Sequence, residues 1–389
     1  MPKVFNWQIG REMEFPYEGA RPDNQFAYIF DLNKCIACQT CTIACKTTWT
    51  AGKGQETMLW NNVETKPYGY FPLGWDLKIL DLLGAQSWDG DVYTGKTLFE
   101  AAESDEIVLG YLPDDMDYAN PNIGEDDCYG TTFKGAVNGR SDGSGGAYFD
   151  AVHHSWMFYL PRICNHCTYP ACLSSCTRKS IYKRKMDGIV LIDQTRCRGY
   201  RECIKGCPYK RPFYNPHTRT SEKCIACYPF VEQGQQPQCV VTCIGKIRLS
   251  GYLSTPEKSI KNHPMDYLIH EKRIALPLYP QFGLEPNVYY IPPVHVPPQF
   301  LTQMFGPRVR HAIETYRSAH KDPELLSALT LFGCTERILK AFKYDKSANE
   351  AVGIDMMNGT EVVCVPLTEP VIVRPLHDQK LGAYRHNIT

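Results

Sequence analysis

Residues 197–208 read CRGYRECIKGCP, and this stretch decides how the rest of the chain is interpreted. Cysteines spaced C-x2-C-x2-C-x3-C-P form a ligand run of bacterial-type ferredoxins. Cys197, Cys203 and Cys207 keep that spacing, but Tyr200 stands where the second cysteine would be. The stretch therefore predicts an iron–sulfur site that lacks one thiolate ligand.

Three further groups of cysteines accompany this run. The chain has 389 residues and 18 cysteines. Fifteen of the cysteines fall into four groups: Cys35, Cys38, Cys41 and Cys45; Cys164, Cys167, Cys172 and Cys176; Cys197, Cys203 and Cys207; and Cys224, Cys227, Cys239 and Cys243. We expect Cys334 and Cys364 to be core residues because they lie in apolar stretches, and Cys128 to be a loop thiol.

Zinc binding and disulfide formation are the alternatives to cluster ligation. A pair such as Cys164 and Cys167 would also suit a zinc site. All four groups end in C-x3-C, however, which is not the usual zinc pattern. Disulfides are disfavoured because 15 is an odd number and the spacings recur in ferredoxin order. Iron–sulfur clusters are the favoured interpretation.

The pairing of the groups predicts which cysteines share a cluster. In a two-cluster ferredoxin, the fourth cysteine of each run ligates the other cluster. This rule pairs the first group with the fourth and the second with the third. Set one is Cys35, Cys38, Cys41 and Cys243; set two is Cys45, Cys224, Cys227 and Cys239; set three is Cys164, Cys167, Cys172 and Cys207; set four is Cys176, Cys197 and Cys203. The sets predict three [4Fe–4S] clusters and one [3Fe–4S] cluster.

Tyr200 decides the nature of the fourth cluster without being a ligand. A phenol rarely binds an iron–sulfur cluster, and we expect the ring to fill the corner that an iron normally occupies. In the alternative interpretation, Tyr200 is an ordinary packing residue, and another residue or a water completes a cubane. We favour the three-iron cluster because thiolates are the usual ligands.

Charge separates one part of the chain from the rest. The 42 Lys and Arg residues balance 42 Asp and Glu residues, which argues against a general nucleic-acid binder. Residues 162–223, however, contain 14 basic and 4 acidic residues. We expect these cations to make the nearby clusters easier to reduce. The alternatives are a solvated basic face or an RNA-binding patch.

Other functional signals are absent from the sequence. No run of about 18 apolar residues could span a bilayer, and no apolar leader follows Met1. The motifs of serine hydrolases, P-loop nucleotide hydrolases, dinucleotide-binding folds and zinc proteases are also missing. The sequence therefore predicts an electron-transfer protein with no catalytic residue and no direct membrane span.

The predicted fold class is α+β, with two nested ferredoxin-like double-cluster modules, a long insertion and C-terminal wrapping segments. The outer module, for clusters one and two, comprises residues 1–45 and 222–250. Residues 46–160 form the insertion subdomain, and residues 161–221 form the inner module for clusters three and four. Residues 251–389 form an extended and helical region for packing and subunit contacts.

Local patterns add secondary structure to this outline. Strand patterns lie at residues 26–30, 180–184, 189–192, 246–249, 362–365 and 371–373. The proline-dense residues 276–298 predict extended chain that is neither a helix nor a central strand. Helices are predicted from Arg308 to His320 and from Asp322 to about Lys343.

Whole segments of the chain resemble the four-cluster iron–sulfur beta subunits of complex molybdoenzymes. These include membrane-bound nitrate reductase, selenate reductase, dimethylsulfide dehydrogenase and ethylbenzene dehydrogenase, and the run around Tyr200 is characteristic of that branch. The chain is most similar to the beta subunits of nitrite oxidoreductases, in the segments VFNWQIGR (4–11), WNNVETKPYG (60–69), RICNHCTYP (162–170) and IALPLYPQ (274–281). The likeness spans nearly the whole chain and is weakest at about residues 86–149.

The resemblance implies partners and a route for electrons. One partner is a catalytic alpha subunit with a molybdenum bis-molybdopterin guanine dinucleotide cofactor, and the other is a heme b gamma subunit. Electrons would pass from cluster one through clusters two and three to the cluster at Tyr200. The resemblance also implies a periplasmic or equivalent compartment, export with the partner, and membrane association through the complex. The missing leader fits a cytoplasmic protein equally.

Other functions stay open at this point. The chain fits the beta subunit of a nitrate or selenate reductase, or of a dimethylsulfide or ethylbenzene dehydrogenase. From other classes, a stand-alone polyferredoxin and a nucleic-acid binder with a basic patch are the alternatives. We do not expect nucleic acid to be a partner, because the basic residues interleave with the predicted ligands.

Overall fold

The computed structural model describes residues 2–17, 21–22, 24–67, 71–118 and 156–367. Its strands are β1 (Lys3–Asn6), β2 (Arg11–Glu14), β3 (Gln25–Asp31), β4 (Asn62–Lys66), β5 (Trp88–Asp89), β6 (Val92–Tyr93), β7 (Phe158–Arg162), β8 (Ile181–Lys183), β9 (Val190–Ile192), β10 (Phe213–Asn215), β11 (Thr220–Glu222), β12 (Arg248–Leu253), β13 (Leu276–Pro277), β14 (Val288–Ile291), β15 (Leu339–Asp345), β16 (Glu350–Asp355) and β17 (Glu361–Pro366).

Helices are short in this part of the chain. They are α1 (Thr40–Trp49), α2 (Trp75–Leu83), α3 (Ala171–Ser174), α4 (Glu202–Gly206), α5 (Tyr228–Val231), α6 (Gln238–Val241), α7 (Pro264–Asp266), which continues as a π-helical turn over Tyr267–Glu271, α8 (Pro298–Phe305), α9 (Val309–Arg317) and α10 (Pro323–Thr330). Among the described residues, no helix is long and apolar enough to cross a membrane. The mixture of helices and strands agrees with the predicted α+β content.

A four-stranded sheet with the order β12-β3-β14-β13 lies at the centre of the fold. β3 pairs antiparallel with β12 and parallel with β14, and all of its residues are buried. The apolar pattern at residues 26–30 predicts this strand, and the prediction is confirmed. Because β3 leads into the first cysteine group and β12 follows the fourth, their pairing brings these two distant groups to the same end of the sheet.

β14 overturns the expectation for the proline-dense segment. The sequence predicts no central strand in residues 276–298, but Val288–Ile291 is a buried strand between β3 and β13. The prediction is wrong because the prolines flank the strand instead of interrupting it. Pro286 precedes β14 and Pro292 follows it, so no backbone N–H inside the strand is lost to a proline.

Two-stranded units surround this sheet. β8 and β9 form the predicted hairpin, whose turn includes Gly188 with a φ of 67°. β10 pairs with β11 between the third and fourth cysteine groups. β4 pairs with β7, so Asn62 and Arg162 lie opposite each other.

Buried charged residues stabilise the pairing of β4 with β7. Arg162 forms an ion pair with Glu64, and Lys66 lies 2.7 Å from Asp76. The guanidinium carbon of Arg162 also lies 3.8 Å from the centre of the Trp75 ring. Removing one partner of a buried ion pair leaves an uncompensated charge. The network therefore fixes the chain immediately before the second cysteine group.

The C-terminal region differs from the prediction after its first helices. α9 agrees with the predicted helix, but α10 ends at Thr330 and not near Lys343. Gly333, with a φ of 64°, turns the chain, and the following residues form β15, which pairs with β16. Within the described residues, β17 pairs with β16, whereas the predicted partner strand at 371–373 lies outside them.

Candidate iron–sulfur sites

Each predicted ligand set lines one cavity, and we number the cavities sites one to four after the sets. Site one is lined by Cys35, Cys38, Cys41 and Cys243; site two by Cys45, Cys224, Cys227 and Cys239; site three by Cys164, Cys167, Cys172 and Cys207; and site four by Cys176, Cys197 and Cys203. Their empty volumes, including space open to solvent, are about 330, 310, 350 and 330 Å³. The three-thiol site is therefore as large as the others.

Pairs of short helices assemble the cavities. α1 contacts α6, and α3 contacts α4. Cys41 and Cys45 lie one turn apart on the same side of α1, so this helix presents one thiol to site one and the next to site two. On α6, Cys239 lines site two, and Cys243 just beyond the helix lines site one. The structure thus brings the predicted cysteines together, while ligation itself stays a prediction.

The four cysteine groups share a backbone turn. The second residue after the first cysteine of each group has a positive φ: Ala37 (53°), His166 (42°), Gly199 (66°) and Ala226 (56°). Left-handed residues in such turns direct successive N–H groups into a concavity that suits anions and many iron–sulfur sites. In the fourth group, the N–H of Ala226 donates to Cys224 Sγ at 3.4 Å.

Tyr200 takes the structural place of Cys38. The two residues that flank Cys38 have φ values of 53° and 58°, and those that flank Tyr200 have values of 66° and 64°. In both loops, the residue that follows caps a helix, α1 in one case and α4 in the other. The backbone at Tyr200 therefore has the conformation that would present a fourth thiol to site four, but the side chain at this position is a phenol.

The expectation that the Tyr200 ring fills a corner of site four stays a prediction. Tyr200 lies at the edge of the cavity but is 62% exposed. Cys38, its counterpart, is also exposed, so a side chain longer than cysteine extends from this position into solvent. Site four therefore has one thiol fewer than site one at the matching loop position.

Burial gives the sites an order. Every cysteine of sites two and three is buried. In contrast, site one includes the exposed Cys38 and the half-buried Cys35 and Cys243, and site four includes the half-buried Cys176. Sites one and four therefore reach the protein surface, and sites two and three lie inside.

Electrostatic neighbours give the same order. Burial raises the pKa of Cys239 in site two to about 12, and Cys41 of site one is among the neighbours that contribute. Burial, followed by Cys164 of site three, also raises the pKa of Cys224 in site two. Sites three and four share α3 and α4, as sites one and two share α1 and α6. The sites follow one another in the order one, two, three, four.

Buried N–H groups without partners line three of the cavities. Among the described residues, they include Arg248 Nε and Nη1 at site one, Trp60 Nε1 and Asn61 Nδ2 at site two, and His166 Nε2 and Arg211 Nε at site three. A buried donor with no acceptor is costly, whereas the sulfur atoms of a cluster accept hydrogen bonds. The residues present therefore fit iron–sulfur groups. No three His, Cys, Asp or Glu side chains in the described ranges converge closely enough to hold a single metal ion.

His166 is a neutral donor with one fixed tautomer. The N–H of Val190 donates to His166 Nδ1 at 3.1 Å, so the proton of the neutral ring lies on Nε2. Burial, together with the nearby Lys223 and Lys183, holds the pKa of His166 well below its ordinary value. The ring therefore stays uncharged at physiological pH and offers an N–H beside site three.

Hydrogen bonds lead to two of the three sulfurs of site four. Ser180 Oγ lies 3.1 Å from Cys176 Sγ, and the N–H of Ser180 donates to the same sulfur at 3.3 Å. Burial acts to raise the pKa of Cys176, but the hydrogen bonds from Ser180 and its neighbours outweigh burial and lower it. The N–H of Ser221 likewise donates to Cys197 Sγ at 3.3 Å.

Sequence reasoning missed Arg248, Asn61 and Trp60 as site residues. They lie outside the cysteine runs and outside the basic stretch, and no spacing points to them. The expectation that Cys334 and Cys364 are core residues is wrong, because Cys334 is half-buried and Cys364 is exposed on the edge strand β17. Cys128 lies outside the described residues.

Comparisons with known proteins give two findings. Residues 155–252 match the family model of a 4Fe–4S dicluster domain. The chain is also similar to three subunits beta: that of selenate reductase from Thauera selenatis (41% identity over 319 residues, 75% of this chain and 89% of the relative), that of respiratory nitrate reductase from Haloferax mediterranei (40% over 321, 75% and 85%) and that of dimethylsulfide dehydrogenase from Rhodovulum sulfidophilum (38% over 320, 76% and 90%).

Proposed function

The chain belongs to the family of beta subunits represented by selenate reductase, respiratory nitrate reductase and dimethylsulfide dehydrogenase, and we propose that it is the electron-transfer subunit of a nitrite oxidoreductase. In this proposal it has no catalytic residue of its own. It relays electrons between a molybdenum subunit, which oxidises nitrite to nitrate, and a heme b subunit. The segments 4–11, 60–69, 162–170 and 274–281 support nitrite oxidoreductase within the family.

The proposal assigns one iron–sulfur group to each site. Sites one to three would each hold a [4Fe–4S] cluster through four cysteines, and site four a [3Fe–4S] cluster through Cys176, Cys197 and Cys203. Clusters bound there supply one-electron redox chemistry. The chain itself contributes the thiolates, the N–H donors and the burial that keeps water from sites two and three.

The observation that carries the proposal is the order of the four sites. Four cavities follow one another through the molecule, and only the first and the last have cysteines that are not buried. A storage protein or an isolated metal site has no need of this arrangement. It supports a relay that receives electrons at one end and passes them on at the other.

The surfaces at the two ends differ, which supports two different partners. Near site one, Ile43 and Ile244 are 57% and 66% exposed. At site four, the exposed Arg198 and Arg201 flank Tyr200 at the edge of the cavity. We assign the site-one end to the molybdenum subunit and the basic site-four end to the heme b subunit, in the order that the family resemblance implies.

Iron analysis and EPR spectroscopy test the cofactor content. The proposal requires about 15 irons per chain and an oxidised-state [3Fe–4S] signal, since three four-iron clusters and one three-iron cluster are proposed. Zinc in place of iron would refute it. About 16 irons without that signal would instead support four cubanes and refute the role given to Tyr200.

Purification of the native complex tests the partners and the reaction. We expect the chain to co-purify with a molybdenum subunit and a heme b subunit, and the complex to oxidise nitrite. A complex that instead reduces selenate or oxidises dimethylsulfide, and leaves nitrite unchanged, would assign the chain to another branch of the same family. The proposal also places the complex in the periplasm or an equivalent compartment, which cell fractionation tests.

Replacing Tyr200 with cysteine tests the fourth site directly. Because Tyr200 shares the backbone geometry of Cys38, Tyr200→Cys should supply the missing thiolate. The expected results are a gain of about one iron per chain, loss of the oxidised [3Fe–4S] signal and a lower reduction potential at site four. An unchanged three-iron signal would show that Tyr200 does not decide the cluster type.

A further inference from the structure

Arg248 is buried between sites one and two. It is 0% exposed, and its side chain lines site one. Its Nη2 lies 3.1 Å from the Sγ of Cys41 and 3.1 Å from the Oδ1 of Asn61. Its guanidinium carbon lies 4.3 Å from the centre of the Phe30 ring. The guanidinium is therefore held on one side by a predicted ligand of site one and on the other by a residue of site two.

Cysteines of site one surround Arg248. Its side chain lines that cavity together with Cys35, Cys41 and Cys243. Among the described residues, Arg248 forms no ion pair with Asp or Glu. The positive charge thus lies beside Cys41 of site one and Asn61 of site two.

Asn61 extends this contact to site two. Its Oδ1 accepts a hydrogen bond from Arg248, and this contact fixes the orientation of the side-chain amide. The amide nitrogen Nδ2 therefore points away from Arg248. That Nδ2 is buried without a partner in the structure, and Asn61 lines site two. Two N–H groups of Arg248, on Nε and Nη1, are buried without partners as well. Both residues therefore offer N–H donors where sulfur acceptors are expected.

The equivalent position at site four carries no charge. Arg248 begins β12 five residues after Cys243, and Ile181 begins β8 five residues after Cys176. Both turns contain a left-handed lysine whose N–H donates to the carbonyl of the cysteine. Ile181 lines site four as Arg248 lines site one. The two modules thus share this turn, but a buried cation is present at this position only in the outer one.

We propose that Arg248 and Asn61 set the reduction potentials of sites one and two together. The inference rests on the proposed function, because both sites must hold iron–sulfur clusters. A nearby cation and N–H donors favour the more negative, reduced state of a cluster. Arg248 is therefore a positioning residue that raises both potentials and keeps the first two sites of the relay matched to each other.

EPR-monitored redox titration of the purified complex tests this proposal. Arg248→Met removes the charge at similar length, and we expect lower midpoint potentials at sites one and two, with the larger shift at site one. Arg248→Lys keeps the charge, so its midpoint potentials should lie between those of Arg248→Met and wild type. Asn61→Asp keeps the acceptor for Arg248 but replaces the Nδ2 donor with a carboxylate oxygen. It should therefore lower the midpoint potential of site two more than that of site one. Sites three and four should not shift in any variant.

A matched control is Arg337→Met, which removes an arginine from an ion pair with Asp355 that lines none of the four sites. It should leave all potentials unchanged. Unchanged potentials at sites one and two in iron-replete Arg248→Met, or equal shifts at all four sites, would overturn the inference. If Arg248→Met fails to retain iron, unchanged potentials in both Arg248→Lys and Asn61→Asp would overturn it. A wild-type complex without iron would instead refute the proposed function.

Discussion

The loops 35–41 and 197–203 have the same spacing and the same pattern of left-handed residues, but they differ in one thiol. Cys38 in the first loop and Tyr200 in the second lie at equivalent positions of the backbone, and both residues are exposed. The cavities that the two loops line have equal volumes of about 330 Å³. The two loops therefore have the same backbone conformation although they carry different numbers of thiols.

Removing the iron that the two loops are proposed to bind is expected to have the largest effect on stability. Burial raises the pKa of Cys35 and of Cys203 to about 12, so in the absence of metal these side chains are neutral thiols that no longer tie the segments together. Metal binding of this kind is coupled to folding. We expect an iron-depleted chain to lose its cooperative thermal transition and to become protease-sensitive in both loops, and reconstitution with iron and sulfide to restore both properties. An unchanged melting temperature after complete iron removal would contradict this.

Cys38→Tyr converts the first loop into a copy of the second. Because the backbone is already equivalent, we expect the chain to fold, to lose about one iron and to show a second oxidised three-iron EPR signal. The control is Cys364→Tyr, which changes an exposed cysteine outside all four sites. Loss of all iron from site one would show that the two loops differ in more than the thiol.

Gly199→Ala tests the backbone that the two loops share. At the equivalent position the first loop has Ala37 with a φ of 53°, so alanine is accepted there. At Gly199 a Cβ would lie 2.4 Å from the carbonyl oxygen of Arg219 and 2.8 Å from the Tyr214 ring. We expect a loss of roughly 1–3 kcal/mol in the free energy of unfolding and a weakened site-four EPR signal.

Gly359→Ala is the matched control for Gly199→Ala. Gly359 has a φ of 71°, but no atom of the described residues lies within 4 Å of the place that an added Cβ would take, so this change reports the backbone conformation alone. Chemical denaturation of both variants gives the difference that is due to the collision. Equal losses of stability would mean that the neighbours of Gly199 move aside freely.

Substitutions of the hydroxyl groups that contact the sulfurs should have the smallest effects. Ser180→Ala removes a contact of 3.1 Å to Cys176 Sγ, and Thr40→Val removes one of 3.4 Å to Cys38 Sγ. A single hydrogen bond contributes about 0.5–1.5 kcal/mol. Redox titration should therefore show a slightly lower potential at site four in the first variant and a smaller shift at site one in the second. A larger shift in potential at site one than at site four would contradict the expectation that the Ser180 contact has the stronger effect.

Much of the secondary structure near the cysteines was predictable, because local patterns determine it. The alternation in β3 and the turn between β8 and β9 are visible in short windows of sequence. Predictions failed where distant residues decide. β14 becomes a central strand because β3 and β13 pair with it, and α10 stops at Thr330 because the chain turns to form β15 beside β16.

The candidate sites were predictable to a different degree. The spacing of the cysteines, together with the rule that the fourth cysteine of a ferredoxin run ligates the other cluster, was enough to predict which thiols line each cavity. It did not predict that Tyr200 points into solvent, because the exposure of that position depends on the elements around it. Nor did it predict Arg248 and Asn61, which lie far apart in sequence and meet across the central part of the fold.

The sequence by itself determined the grouping of the cysteines, the repeated turns and the missing thiol at Tyr200, because each depends only on residues a few positions apart. The tertiary structure alone decided the burial of the middle two sites. It also decided the position of Arg248 between the first two sites. These features depend on the pairing of β3 with β12 and on the contacts of α1 with α6, which join segments that are distant in the chain.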